Sequence, residues 1–236
     1  MQADRRRHPR AGDALPVVTS GVPGAQDAEG IIGYMLEQRI QQHFIDSADL
    51  KYKAAQVLSE PIAAAVQAIL ACVTGGGKVL ACGNGASVGL VQAFASAFVG
   101  RFERDRPELA ALALGSNAAV FTGLYNAFDP RSVYARQVRA LGQPGDTLLV
   151  VTSLSQAPEI LGAVEAAHER EMTVVALCGA RAGALGQLLK DTDVLVCAPS
   201  ERAPRIHEAH QVVLHCICDG VDVQLLGEDE SEEFVE

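Results

Sequence analysis

Several common signatures are missing from this chain of 236 residues, and each absence excludes a class of protein. No apolar run is long and uninterrupted enough to span a membrane. No apolar segment follows the N-terminal arginines, so we predict no secretory signal. The net charge of −10 argues against binding along a nucleic acid backbone.

Redox and zinc motifs are missing too. The six cysteines lie inside apolar segments, and Cys216 and Cys218 flank a single residue, which is neither a CxxC pair nor a zinc knuckle. This usage predicts buried, reduced thiols in a cytoplasmic protein. They are Cys72, Cys82, Cys178, Cys197, Cys216 and Cys218.

The composition changes near both ends of the chain. Residues 1–29 are rich in Arg, Pro, Gly and Ala without a periodic apolar face, which predicts a disordered leader. The acidic stretch at 228–236 predicts a solvated tail. Residues 30–227 are predicted to form a single domain. Its first part, up to Thr74, has helical periodicity, with Pro61 placed as in a first helical turn.

Five apolar runs then alternate with helical patterns. The runs are KVLACG, ELAALALG, DTLLVVTS, MTVVALCG and DVLVCAPS. Near-continuous apolar strands that alternate with helices predict an α/β fold with a five-stranded parallel sheet covered on both faces. Ligands bind such sheets at the carboxyl ends of the strands.

A glycine-rich turn, CGNGAS, follows the first of these strands. Its exposed N–H groups would favour an anion, and Ser87 could cap the next helix. Val88 breaks a GxGxxG pattern and no GK[ST] follows, so a purely steric role for the turn remains open. The candidate anion-binding residues are Gly83, Asn84, Gly85, Ala86 and Ser87.

Three longer segments resemble the sugar isomerase (SIS) domain. They are VLACGNGAS with the following FASAFVGRFERDRPELAALAL, then YARQVRALGQPGDTLLVVTS, then RIHEAHQVVLHCICDGVD. They are most similar to the phosphoheptose isomerase branch and, within it, to the DnaA initiator-associating proteins. The resemblance implies a flavodoxin-like three-layer α/β/α fold, an N-terminal helical hairpin and a cytoplasmic homotetramer with sites between subunits.

The same resemblance implies that the isomerase side chains have been replaced here. The metal-binding His and the Glu on the helix after the glycine turn correspond to Ala93 and Ala97, and a loop Asp corresponds to Ala127. The Gln and His of the last helix correspond to His207 and His215. Related isomerases use zinc, but this set lacks a carboxylate, so we expect no cofactor and no catalytic residue. The two histidines remain the only candidate metal ligands.

The family also has a serine-rich phosphate turn after the third strand. Here it reads TSLSQAP and retains three hydroxyls, those of Thr152, Ser153 and Ser155. A hydroxyl turn at a helix N-terminus can also serve only as a cap. We expect both turns to face one cavity, able to hold a phosphorylated sugar.

These replacements favour a non-catalytic protein that binds the DnaA initiator and promotes its assembly at the chromosomal origin. Leu225 and Leu226, beside the acidic tail, are the candidate partner-binding residues. Two alternatives stay open. One is a phosphoheptose isomerase that converts sedoheptulose 7-phosphate for lipopolysaccharide heptose synthesis, and the other is a phosphosugar-sensing module. No direct contact with nucleic acid or membrane is expected.

Overall fold

The computed structural model of the protein describes residues 25–228, with side chains from Tyr34 onward. The chain divides into two units, before and after the junction of Ile45 and Asp46. The helices are α1 Ala25–Thr74, α2 Ser87–Val99, α3 Ala118–Ala127, α4 Val133–Leu141, α5 Pro158–Glu169, α6 Gly183–Leu188 and α7 Ala203–Leu226. The strands are β1 Val79–Gly83, β2 Ala111–Ala113, β3 Thr147–Val151, β4 Thr173–Cys178 and β5 Val194–Cys197.

The five strands form one parallel sheet in the order β2-β1-β3-β4-β5. This confirms the predicted α/β fold and its flavodoxin-like strand order. The chain leaves β1 toward β2 on one side and returns to β3 on the other. Loops that follow β1 and β3 therefore diverge and open a crevice at the carboxyl edge of the sheet.

Alternation along the strands creates a core on each face of the sheet. On one face, Ala81 and Val151 pack against α1, α2 and α7. On the other face, Cys82 and Val150 pack against α4, α5 and α6. Because side chains alternate along a strand, neighbouring residues of β1 serve opposite cores. The sheet therefore lies between two layers of helices, as the predicted three-layer α/β/α fold requires.

The predicted N-terminal hairpin is wrong, because α1 is one continuous helix of 50 residues with Pro61 in its interior. A proline there removes only one backbone hydrogen bond. Leu58 and Ala65, on either side of it, are both buried in the core, so packing maintains the helical path across the proline.

Helix α1 also qualifies the expectation about membrane-spanning runs. Within the described residues, Tyr34–Thr74 contains an 18-residue window of mean hydropathy 1.7, of which 28% is buried. Length and composition alone would let this helix cross a membrane. A helix that covers a sheet can have the same composition. Ile69 of α1 is fully buried in the core between this helix and the sheet.

Helix α1 begins at Ala25, inside the stretch 1–29 that the sequence predicted as a leader. The rest of the leader and nearly all of the predicted tail lie outside the described residues. In the first unit, Met35, Leu36, Ile40 and Phe44 are exposed along α1. Exposed apolar faces of this kind are typical of surfaces that contact another protein.

The helical segment between β2 and β3 is divided into α3 and α4. The side-chain oxygen of Asn117 caps α3, and that of Asp129 caps a short 3₁₀ turn, Pro130–Ser132, that precedes α4. Both caps satisfy backbone N–H groups that the helices leave free. This break places aromatic residues of α3 and α4 beside the glycine turn.

Candidate functional site

The glycine turn after β1 has one residue in the left-handed region, Gly85, with φ of 54°. Ala86 occupies the N-cap position of α2 without a side-chain cap, and Ser87 is the first helical residue. The predicted capping role of Ser87 is therefore wrong.

Ser87 instead has a buried hydroxyl with no hydrogen-bond partner in the described structure. It lies against Gly83, where an added Cβ would come within 2.8 Å of the Val151 carbonyl oxygen and 3.0 Å of Ser87 Cβ. A buried hydroxyl without a partner is costly. Its position at the start of a helix suits an acceptor supplied by a ligand.

A chain of side-chain hydrogen bonds joins the turns after β1 and β3. The Thr152 hydroxyl donates to Asn84 Oδ1 at 2.9 Å and accepts from the Leu154 N–H at 2.9 Å. Asn84 Nδ2 donates to Glu159 Oε1 at 3.0 Å. The two predicted turns thus meet at the point where the strand order reverses.

The two turns nevertheless open into separate cavities, so the expectation of one shared cavity is wrong. Ser153 and Ser155 line the first, of about 390 Å³. We call it the polar cavity; it is also lined by Ser200 and by Arg181 and Glu201, which form an exposed ion pair of 2.7 Å.

The second cavity, of about 290 Å³, lies on the other side of the joined turns. We call it the aromatic cavity, because Phe121, Tyr125 and Tyr134 line it. Asn84 and Glu159 also line it. The sequence analysis missed this cavity, since its aromatic residues are spread over two helices without a motif.

Two ionisable groups beside the aromatic cavity are held neutral. The Tyr134 hydroxyl donates to the Gly83 carbonyl, and burial raises its pKa, with smaller contributions from Cys82 and Glu159. Burial also raises the pKa of the Cys82 thiol to about 12, with a smaller contribution from the Glu159 charge. Neither group can act as a base near neutral pH.

The two candidate metal ligands do not converge with a carboxylate. His207 Nε2 is buried without a partner, whereas His215 is exposed and hydrogen-bonded to Gln211. On α2, which packs against α7, Ala93 is exposed and Ala97 half-buried, and neither has a polar side chain. Among residues 25–228, no group of three or more His, Cys, Asp and Glu side chains could hold a metal ion. The described residues therefore do not fit the zinc of related isomerases.

A buried histidine at the end of β4 escaped the sequence analysis. His210 is fully buried; its Nε2 donates to the Cys178 carbonyl at 3.0 Å, and Nδ1 has no partner. Burial lowers its pKa to about 4. Its helical spacing resembles that of any core residue, so only the fold distinguishes it from the histidines on either side.

The cysteine prediction holds only in part. Cys72, Cys82, Cys178 and Cys218 are buried, but Cys216 is exposed and Cys197 is half-buried. No cysteine of the described chain is in a disulfide. Cys216 is exposed because its position on α7 points away from the sheet.

Comparisons with known proteins agree with this architecture. The family model for the SIS domain matches residues 43–179. The chain belongs to the SIS-domain family. It is 58% identical to the phosphoheptose isomerase of Methylibium petroleiphilum over 83% of this chain and 98% of that protein. The phosphoheptose isomerase of an Azoarcus species is 47% identical, over 83% of this chain and 99% of that one.

Solved structures of known proteins have the same fold. The phosphoheptose isomerase of Neisseria gonorrhoeae superposes with a TM-score of 0.75 at 40% identity, covering 79% of this chain and 98% of that one. SIS membership and similarity to phosphoheptose isomerases are thus confirmed.

These relatives overturn the interpretation as a non-catalytic initiator-binding protein. Proteins that match nearly their full length are named as isomerases, which supports the alternative instead. Leu225 and Leu226 are 37% and 39% exposed at the end of α7, as an apolar pair split by helical geometry should be. This exposure does not by itself assign a binding role to either leucine.

Proposed function

We propose that this protein is a phosphoheptose isomerase that binds a sugar phosphate at the crevice between β1 and β3. The buried, unpartnered hydroxyl of Ser87 carries this proposal, because it lies at a helix N-terminus beside a glycine turn. Helix N-termini and exposed backbone N–H groups bind phosphate well. The similarity to named phosphoheptose isomerases supports the same substrate class.

The reaction requires a proton to move between carbons next to a carbonyl. The binding turn can hold the phosphate end of the substrate and orient its carbonyl end. Ala93 and Ala97 can neither take a proton nor bind a metal. The base must therefore come from another side chain at the crevice.

The test is an assay of purified protein with sedoheptulose 7-phosphate, with product detected by NMR. Calorimetry with the same sugar measures binding separately. Ser87→Ala should weaken binding about ten-fold or more, because it removes one hydrogen bond to a charged group. The matched control is Ser59→Ala, whose hydroxyl donates to the Ala55 carbonyl within α1 and lines neither cavity. Equal affinity of Ser87→Ala and parent would contradict the binding site.

A phosphosugar-sensing module is the second candidate, favoured by the alanines at 93, 97 and 127. Such a module would bind the sugar phosphate and shift a conformational equilibrium without turnover. Binding without product in the two assays above would identify it. A homotetramer in the cytoplasm accompanies either proposal, and the exposed apolar face of α1 supports the assembly.

A further inference from the structure

The crevice contains one carboxylate that sequence reasoning did not single out. Glu159 is the second residue of α5, and its side chain reaches back to the glycine turn, where it accepts from Asn84 Nδ2 at 3.0 Å. The two residues are 75 positions apart in the chain. Their contact exists because β1 and β3 are neighbours in the sheet.

Glu159 is also the only carboxylate among the residues that line the aromatic cavity. Arg131, the cation at the rim of that cavity, is already paired with Asp129 at 2.6 Å. The cavity is close to the lower end of the roughly 300–1,000 Å³ typical of small-molecule sites. A hydroxylated carbon chain could lie there with its phosphate at the adjacent turn.

Other side chains at this cavity cannot accept a proton near neutral pH. The Tyr134 hydroxyl is committed to the Gly83 carbonyl, and the Cys82 thiol is fully buried in the core. Asn84 has no basic atom, and both ends of its amide are used by Thr152 and Glu159. The carboxylate of Glu159 is the remaining base.

We propose that Glu159 is the catalytic base of the isomerisation. This inference rests on the proposed function. The carboxylate takes the proton from C1 of the ketose while the C1–H electron pair forms a C1=C2 bond and the O1 hydroxyl proton passes to O2. The carboxylic acid then returns its proton to C2 as the new carbonyl forms at C1. No net oxidation occurs and no second reactant is needed.

A simpler role for Glu159 would be to orient Asn84 and to favour the N-terminus of α5 electrostatically. The two roles predict different behaviour for Glu159→Gln. Glutamine keeps an oxygen that can accept from Asn84, but it cannot take a proton from carbon. A positioning role therefore tolerates glutamine, whereas a base does not.

The experiment compares Glu159→Gln with the parent and with Glu165→Gln, an exposed carboxylate on the same helix. We measure kcat, KM and incorporation of solvent deuterium at carbon. We expect Glu159→Gln to lose about 100-fold or more in kcat and to lose deuterium incorporation, with KM unchanged. Glu165→Gln should match the parent. Glu159→Asp, which keeps the base but shortens its reach, should retain measurable exchange.

Three results would overturn the assignment. Activity of Glu159→Gln equal to the parent, with loss only in Glu159→Ala, would show that the residue positions Asn84, while the proposed function stands. Exchange that persists in Glu159→Gln would place the base elsewhere. A parent protein that binds the sugar phosphate without turnover or exchange would refute the isomerase proposal together with this base.

Discussion

The two cavities at the carboxyl edge of the sheet differ in chemistry and have no lining residue in common. The polar cavity has serine hydroxyls and an exposed ion pair, formed by loops after β3, β4 and β5. The aromatic cavity has three rings and one carboxylate, formed by α3, α4 and the start of α5. Loops supply adaptable hydrogen-bonding groups, whereas helices packed on the sheet hold rings and a carboxylate in fixed positions. A base has to be held in this way, so the aromatic cavity is better suited to chemistry.

Gly83, the last residue of β1, gives the largest predicted effect. Gly83→Ala should lower the free energy of unfolding by about 3 kcal/mol, because the new Cβ would overlap atoms of the packed backbone. Those atoms include the Val151 carbonyl oxygen at 2.8 Å. Gly89→Ala is the matched control, since nothing lies within 4 Å of its added Cβ. Urea unfolding measures the free energy of unfolding of both variants. An equal loss in the two would show that the backbone around Gly83 is not tightly packed.

The folded state should lose stability in acid. His210, buried against the end of β4, has a pKa lowered to about 4, against 6.5 in the unfolded chain. The unfolded state therefore binds the extra proton between these values, and stability falls as pH decreases through this window. From pH 7 to pH 5 the loss should be about 2 kcal/mol by this linkage.

His210→Gln should flatten this pH dependence in urea unfolding. His215→Gln, at an exposed position on the same helix, should leave the dependence as in the parent. A parent protein whose stability is the same at pH 7 and pH 5 would contradict the buried neutral histidine.

The hydrogen bonds of Thr152, which join the turns after β1 and β3, should contribute less to the free energy of unfolding. Thr152→Val should destabilise by about 1–2 kcal/mol, because Asn84 Oδ1 and the Leu154 N–H both lose a partner. Ser87→Ala should leave stability nearly unchanged, since its buried hydroxyl makes no protein hydrogen bond. Thermal unfolding of both variants tests this contrast. A large loss in Ser87→Ala would mean that the hydroxyl has a structural partner.

The rim of the polar cavity should show the smallest effect. Arg181 and Glu201 are 82% and 63% exposed, and exposed ion pairs contribute about 0.2–1 kcal/mol at most. Arg181→Ala should therefore change the unfolding free energy by no more than about 0.5 kcal/mol. The affinity of this variant for inorganic phosphate, compared with that of the parent at low and high salt, shows whether the polar cavity attracts anions. If Arg181→Ala binds phosphate as tightly as the parent at both salt concentrations, the polar cavity does not bind phosphate.

Much of the fold could be predicted because local patterns encode it. The apolar runs that become β1, β3 and β4 are buried along almost their whole length, so their hydrophobicity marks them clearly. The break between α3 and α4 was missed because Asn117 and Asp129 act as caps only once the neighbouring residues become helical. The hairpin error at Pro61 has a similar cause, since packing on both sides of the proline decides whether a helix continues.

The candidate site was only half predictable. The turns at Gly83 and Thr152 have recognisable residues, and their meeting at the crevice follows from a parallel sheet. No local pattern indicates that they open into two cavities, or that Tyr134 and Glu159 line one of them. The domain boundaries and the subunit assembly stay predictions.

The sequence by itself determined the strand and helix content, the glycine turn and the absence of polar side chains at 93 and 97, because these depend on residue type and short-range periodicity. The tertiary structure alone decided that Ser87 is buried without a partner, that His210 is neutral in the core and that Glu159 touches Asn84 across 75 positions. The physical reason is that burial and long-range hydrogen bonds depend on which strands become neighbours, and that order arises only when the whole sheet packs between its two layers of helices.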